Sequence, residues 1–180
     1  MLKQSFKTTL AVSVMIGGMS FAGAALAAGS GTTTTTTPTC KKGKVWDKQK
    51  KKCVVAEQSG QLDDDNIYEA ARDLAYNKRY EEAINVLNLA ENKSDPRILN
   101  YLGYSHRKLG QVEKGLTYYT AALKEDPDYT LVMEYMGEAF LQLGQVDKAR
   151  EQLAEIEKRC GKDCREYTML ETEIDRYVTQ

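Results

Sequence analysis

From Asp63 to the C-terminus, apolar residues recur at three- and four-residue intervals, the spacing of one face of an α-helix. In the central stretch Leu99, Leu102, Gly103 and His106 share such a face, and Leu109-Gly110 ends it, with Gly110 suited to a left-handed cap. A second face follows in Val112, Leu116, Tyr119, Ala122 and Leu123. Pro127 then stops the helix, because the residue before a proline is pushed out of the α region. Asp128 or Thr130 is placed to cap the next helix. The pattern returns: KLGQVEKGL at 108–116 reappears as QLGQVDKAR at 142–150, 34 residues on. A weaker copy, with Ala70-Ala71, KRYEEAINVL at 78–87 and Ala90, lies 32 residues earlier. Each unit predicts two helices joined by a tight turn. Ala71, Gly103 and Gly137 on the first helices, with Ala83, Gly115 and Ala149 on the second, let the two backbones approach closely. A last stripe, Tyr167, Leu170, Ile174 and Tyr177, predicts a terminal helix with one apolar side.

The N-terminal third has a different pattern. Lys3 and Lys7 precede an apolar run that ends in Ala25-Leu26-Ala27, a small-x-small signature. This predicts a secretory signal peptide over residues 1–28 and a mature protein in the periplasm. Residues 29–39 (GSGTTTTTTPT) have no apolar period and read as a flexible linker. Residues 40–53 are a basic segment bracketed by cysteines, 54–62 a second linker, and 63–180 the helical domain. Its repeats fall at about 64–95, 96–129 and 130–163, with a capping helix over about 164–178.

Charge sharpens this division. Without Lys3 and Lys7 the chain keeps 23 basic and 26 acidic side chains, a net of −3. The bracket holds seven lysines against Asp47, which leaves residues 54–180 at −9. An acidic body of this kind excludes a general nucleic-acid binder. Lys41 to Lys52 form a basic tip able to touch an anionic membrane or envelope surface. In an exported chain the four cysteines point to disulfides. Of three possible connectivities, sequence order favours the two local pairs, Cys40–Cys53 and Cys160–Cys164.

The residues of 100–129, NYLGYSHRKLGQVEKGLTYYTAALKEDPDY, resemble the tetratricopeptide repeat nearly throughout. The outer copies resemble it less, with Ala71 where glycine is usual and Gly161 near the place of the closing proline. With the bracket CKKGKVWDKQKKKCV and the terminal RCGKDCREY, the chain also resembles small exported tetratricopeptide proteins of alphaproteobacteria. The resemblance implies an all-α fold: a short right-handed solenoid of three helical hairpins and a capping helix, preceded by a linker and a small disulfide-closed hairpin. It further implies an inner groove lined by the first helices. Tyr68, Arg72, Tyr76, Asn100, Tyr104, Arg107, Lys108, Glu134, Glu138 and Leu141 would line that groove. An acidic peptide segment would then lie against Arg72, Arg107 and Lys108. The clamp by which some members grip chaperone tails is not reproduced.

No residues fall into an enzymatic pattern. His106, the single histidine, sits where the repeat has a core aromatic, so a packing role is expected. Cys160 and Cys164 have C-x3-C spacing, one residue more than a thioredoxin-type pair, and zinc would need further ligands. No cofactor and no metal is expected. The expected function is an exported, non-enzymatic adaptor for a protein or peptide partner in the cell envelope. Two other readings remain open. Cys40, Gly43, Val45, Trp46, Asp47 and Cys53 are similar to one arm of a chitin-binding module, which suggests a carbohydrate (chitin or peptidoglycan) ligand. Cys160 and Cys164 could alternatively serve thiol redox chemistry.

Overall fold

In a computed structural model of the chain, Pro38, Cys40, Lys41 and residues 44–47, 50–55 and 63–180 are described. The signal peptide expected over 1–28 and most of the two expected linkers lie outside the described residues. Two short strands come first, β1 (Lys44–Asp47) and β2 (Lys52–Val55). They pair antiparallel, with Trp46 opposite Cys53 and Val45 opposite Val54. A Cys40–Cys53 disulfide closes the hairpin, with 5.7 Å between the Cα atoms. Asp47 holds the turn by accepting the Lys50 backbone N–H at 2.8 Å, and Lys51 supplies a left-handed φ of 48°. The second arm runs on to Val55, into the segment read as a linker. The reason is packing: Val54 is seated against the first helical core.

Seven helices follow among the described residues: α1 (Asp64–Tyr76), α2 (Tyr80–Leu87), α3 (Pro96–Lys108), α4 (Val112–Glu125), α5 (Thr130–Gln142), α6 (Val146–Cys160) and α7 (Arg165–Val178). Local chemistry sets several of their ends. Asp63 caps α1 by accepting the Asn66 N–H at 2.8 Å. Asp95 does the same for α3 through the Arg97 N–H, also at 2.8 Å, with Pro96 in the first turn. Caps of this type contribute about 1 kcal/mol each. For α5 the expectation fails: its N-cap is Tyr129, without a side-chain bond, and Thr130 is already helical. Asp128 is engaged elsewhere, 3.1 Å from Arg159 Nε. The turns inside the second and third hairpins use Gly110 and Gly144 at φ 80° and 72°, whereas the first uses Lys78 at φ 61°. A side chain in that region costs about 1 kcal/mol, so the first turn is the weakest of the three by sequence.

The hairpins α1–α2, α3–α4 and α5–α6 stack into a short right-handed solenoid closed by α7. Its interior runs from Ile67, Leu74, Leu87 and Ile98 through Tyr119 and Val132 to Ile156, Leu170 and Ile174, all of them buried. Burying a leucine or isoleucine contributes about 1.5–3 kcal/mol, and conformational entropy offsets most of the sum. Between α3 and α4 the approach is backbone to backbone: a Cβ on Gly115 would lie 2.9 Å from the Gly103 carbonyl oxygen. Gly137 works differently from expectation. A Cβ there would meet Leu170 of α7 at 2.5 Å, so this glycine makes room for the capping helix.

Both ends of the stack are covered. At one end α7 lays Tyr167, Leu170 and Ile174 on Met133, Phe140 and Ile156. Cys160–Cys164 ties the end of α6 to the start of α7. At the other end the β-hairpin docks on the first repeat. Arg79 Nη1 donates to the Cys40 carbonyl at 2.8 Å, while its Nε and Nη2 donate to Glu82. No helix among the described residues is long and apolar enough to cross a membrane.

Candidate functional site

The first helices α1, α3 and α5 carry a continuous band of tyrosines. Tyr68 meets Tyr101 edge-on at 5.6 Å, and Tyr101 meets Tyr76 at 6.0 Å. Tyr104 then contacts Tyr76, Tyr80, Tyr101 and Tyr135, the last at 5.0 Å. Edge-to-face ring pairs of this kind contribute about 0.5–1.5 kcal/mol each beyond their buried area. Tyr101 donates its hydroxyl to the Tyr76 oxygen at 2.8 Å. Burial, and then the neighbouring hydroxyls, hold the Tyr101 phenol well above its ordinary pKa. The band is half wet: Tyr101 and Tyr135 lie under the surface, Tyr68 and Tyr104 are partly exposed, and Tyr76 is 52% exposed.

Cations border the band. The Arg72 guanidinium lies 5.8 Å from the Tyr76 ring centre, and Lys108 Nζ lies 5.4 Å from that of Tyr104. Arg107 also lies over Tyr104 and Tyr135, at 5.6 and 5.7 Å, but its side chain is fully buried. Its Nη1 lies 2.6 Å from Glu138 Oε2, and its Nε donates to the Tyr119 hydroxyl at 3.3 Å. Lys108 reaches the same Glu138 oxygen at 4.0 Å.

The ten residues expected to line the groove therefore divide. Tyr68, Arg72, Tyr76, Tyr104, Lys108 and Glu138 reach the surface to differing degrees. Asn100, Arg107, Glu134 and Leu141 are buried and offer little to a ligand. Asn100 is closed over near Tyr129, whose hydroxyl it influences. Arg107 is held inside by its ion pair. Glu134 and Leu141 lie on α5, which α7 packs against. The acidic-ligand expectation thus keeps Arg72 and Lys108 and loses Arg107.

Burial, reinforced by the negative charges of Glu138 and Glu166, pushes the Glu134 carboxyl up to about 7. Arg165 and Arg107 oppose that rise. Beyond Glu138 the inner face continues onto α7. Glu138, Leu141, Gln142, Glu173, Arg176 and Tyr177 line an open hollow of about 300 Å³. In the sequence the α7 stripe carries a capping signal alone, with no pattern that marks its other residues as part of the inner face. Tyr177, placed on the apolar stripe, is 41% exposed and lines this hollow.

The other chemical candidates have structural places. His106 is buried, stacks parallel on Tyr118 at 5.3 Å, and its Nδ1 lies 2.7 Å from Gln111 Oε1. Burial lowers its pKa, which keeps the imidazole neutral near pH 7. Cys160, Cys164 and Glu166 bring three possible ligand atoms together, but the two sulfurs are bonded to each other.

Two tetratricopeptide repeat family models match the chain, over residues 68–130 and 106–174. No curated protein matches it. Among solved structures, the Yersinia enterocolitica type III secretion chaperone SycD, in complex with a peptide of the translocator YopD, superposes with a TM-score of 0.53. It is 20% identical, and the match covers 64% of this chain and 88% of that one. The first tetratricopeptide domain of Spaghetti (RPAP3), bound to the HSP90 peptide SRMEEVD, gives 0.55 at 15% identity, covering 65% and 94%. MamA gives 0.56 at 13% identity, covering 69% and 81%. At these identities the likeness is one of fold.

Proposed function

Since this chain belongs to the tetratricopeptide repeat family, we propose that it is an exported, non-enzymatic scaffold holding one protein or peptide partner on its inner face in the cell envelope. The observation that carries this reading is the tyrosine band with its flanking cations. Tyr76 is the most exposed large apolar side chain of the described residues, at 52%, and it sits on a first helix beside Arg72. Tyrosine and arginine are the residue types most often found at binding hot spots. The surrounding rings are locked by one another, so a partner would meet a surface that needs little ordering. Both SycD and the RPAP3 domain were solved with peptides bound, which supports the use of this fold as a peptide holder. Between the two covered ends the inner face reaches the surface through Tyr68, Arg72, Tyr76, Tyr104, Lys108 and Glu138. The signal segment of the sequence supports export.

Arg72→Glu and Tyr76→Ala test this reading at two exposed side chains, of which only Tyr76 also bonds a core residue, Tyr101. Each is expected to weaken retention of the co-purifying partner by about tenfold or more, the effect of a hot-spot truncation near 2 kcal/mol. Lys124→Glu, on exposed α4 surface, is expected to leave retention unchanged. Unchanged retention in both inner-face variants contradicts a groove-based scaffold.

A further inference from the structure

The hairpin has two faces, and they are chemically different. Side chains alternate across a strand, and directly paired residues share a face. Val54 points into the first repeat core. Cys53, its neighbour in the strand, therefore points away, and so does Trp46 opposite it. The outer face thus presents the half-buried indole of Trp46 next to the disulfide, with Lys44 beside it. Lys41, Lys50 and Lys51 are exposed around its edge and turn, and Lys52, opposite Asp47, is exposed on the other side of β2. The one acid of the segment is set against one of these lysines. Asp47 is buried, and its carboxylate is turned to the Lys50 N–H and, at 3.3 Å, the Lys50 ammonium. The hairpin is not a loose tail either, because Arg79 and Val54 fix it to the first repeat.

We propose that this outer face docks on an anionic phospholipid bilayer surface. Charge complementarity argues for that occupant. The bracket carries a net charge of +6 and residues 54–180 carry −9, so the molecule is attracted hairpin first and repelled by its body. A negatively charged membrane attracts nearby lysines, and an indole flanked by lysines suits the headgroup region, where tryptophan is enriched. Docking in this way sets the first repeat, and the Arg72–Tyr76 end of the inner face, beside the membrane. The inference stands whether or not the inner face holds a partner.

Trp46 is the only tryptophan of the chain, so its fluorescence reports the hairpin directly. The chain from Gly29, which retains the compact unit Thr36–Gln180, is mixed with phosphatidylglycerol-containing or pure phosphatidylcholine vesicles. The expected result is a blue shift and co-sedimentation with the anionic vesicles alone, both reversed by high salt. Replacing Lys50, Lys51 and Lys52 by glutamine weakens binding about a hundredfold, at about fivefold per lysine. The matching arginine variant keeps it. Binding equal on both vesicle types, or unaffected by the glutamine variant, overturns the proposal. Retention on peptidoglycan or chitin with no response to vesicles also overturns it, in favour of a sugar-binding hairpin.

Discussion

Replacing Glu138 by alanine lowers the unfolding free energy by about 3–5 kcal/mol, the penalty for stranding a buried charge. Arg107 has no exposed side-chain surface, and its Nη1 lies 2.6 Å from Glu138. A guanidinium does not shed its proton in a protein. Burial pulls the Arg107 pKa down, but Tyr119 and Glu138 outweigh it. Without Glu138 the cation stays inside with the Tyr119 hydroxyl, two ring faces and the Glu134 carboxyl in electrostatic reach, and Lys108 adds a like charge nearby. The reverse change is milder. Glu138 keeps 20% exposure and the Lys108 contact, so Arg107→Met leaves a carboxylate that can turn to water, and about 1–2 kcal/mol is lost. The double variant Arg107→Met with Glu138→Ala is more stable than Glu138→Ala alone. Denaturant midpoints at unchanged slope measure all three. A Glu138→Ala loss below that of Arg107→Met contradicts the assignment of Arg107 as a buried structural cation.

Glu134 gives the second large effect, through pH. Its folded-state pKa is raised from 4.5 to about 7, first by burial and then by Glu138 and Glu166. The protonated form is therefore the one the fold prefers. Its stabilising contribution is fully present below about pH 4.5 and is lost as pH rises through 7. The expected loss between pH 5 and 8 is on the order of 2 kcal/mol. His106, whose pKa burial lowers, acts in the opposite sense below its unfolded value, so the comparison must isolate one group. Glu134→Gln does this: it is more stable than the native chain at pH 8 and about equal to it at pH 5. Parallel stability–pH curves for the two proteins show that Glu134 is not a buried carboxylate in solution.

The repeat and its turns were legible because they are local. The 34-residue period, Gly110 and Gly144 at positive φ, and the α7 stripe all follow from spacing and backbone sterics. Burial on the inner face was not legible. Arg107 and Asn100 are polar and lie on the side of α3 that a solenoid normally exposes. Only the three-dimensional contacts with Glu138, Tyr119 and the region of Tyr129 show that they are enclosed. Tyr101 and Tyr135 are not among the residues expected to line the groove, yet they form the floor of the tyrosine band. The seating of the hairpin was equally hidden, because the Arg79–Cys40 bond joins residues 39 apart with no shared pattern.

A photoreactive amino acid at position 76, compared with one at position 124 on the exposed side of α4, tests the central claim most directly. The protein is irradiated in envelope extract and its adducts are identified by mass. The inner-face scaffold predicts one dominant protein adduct from position 76, lost on adding Arg72→Glu, and none from position 124. The same adducts from both positions, or an adduct from position 124 alone, contradict it.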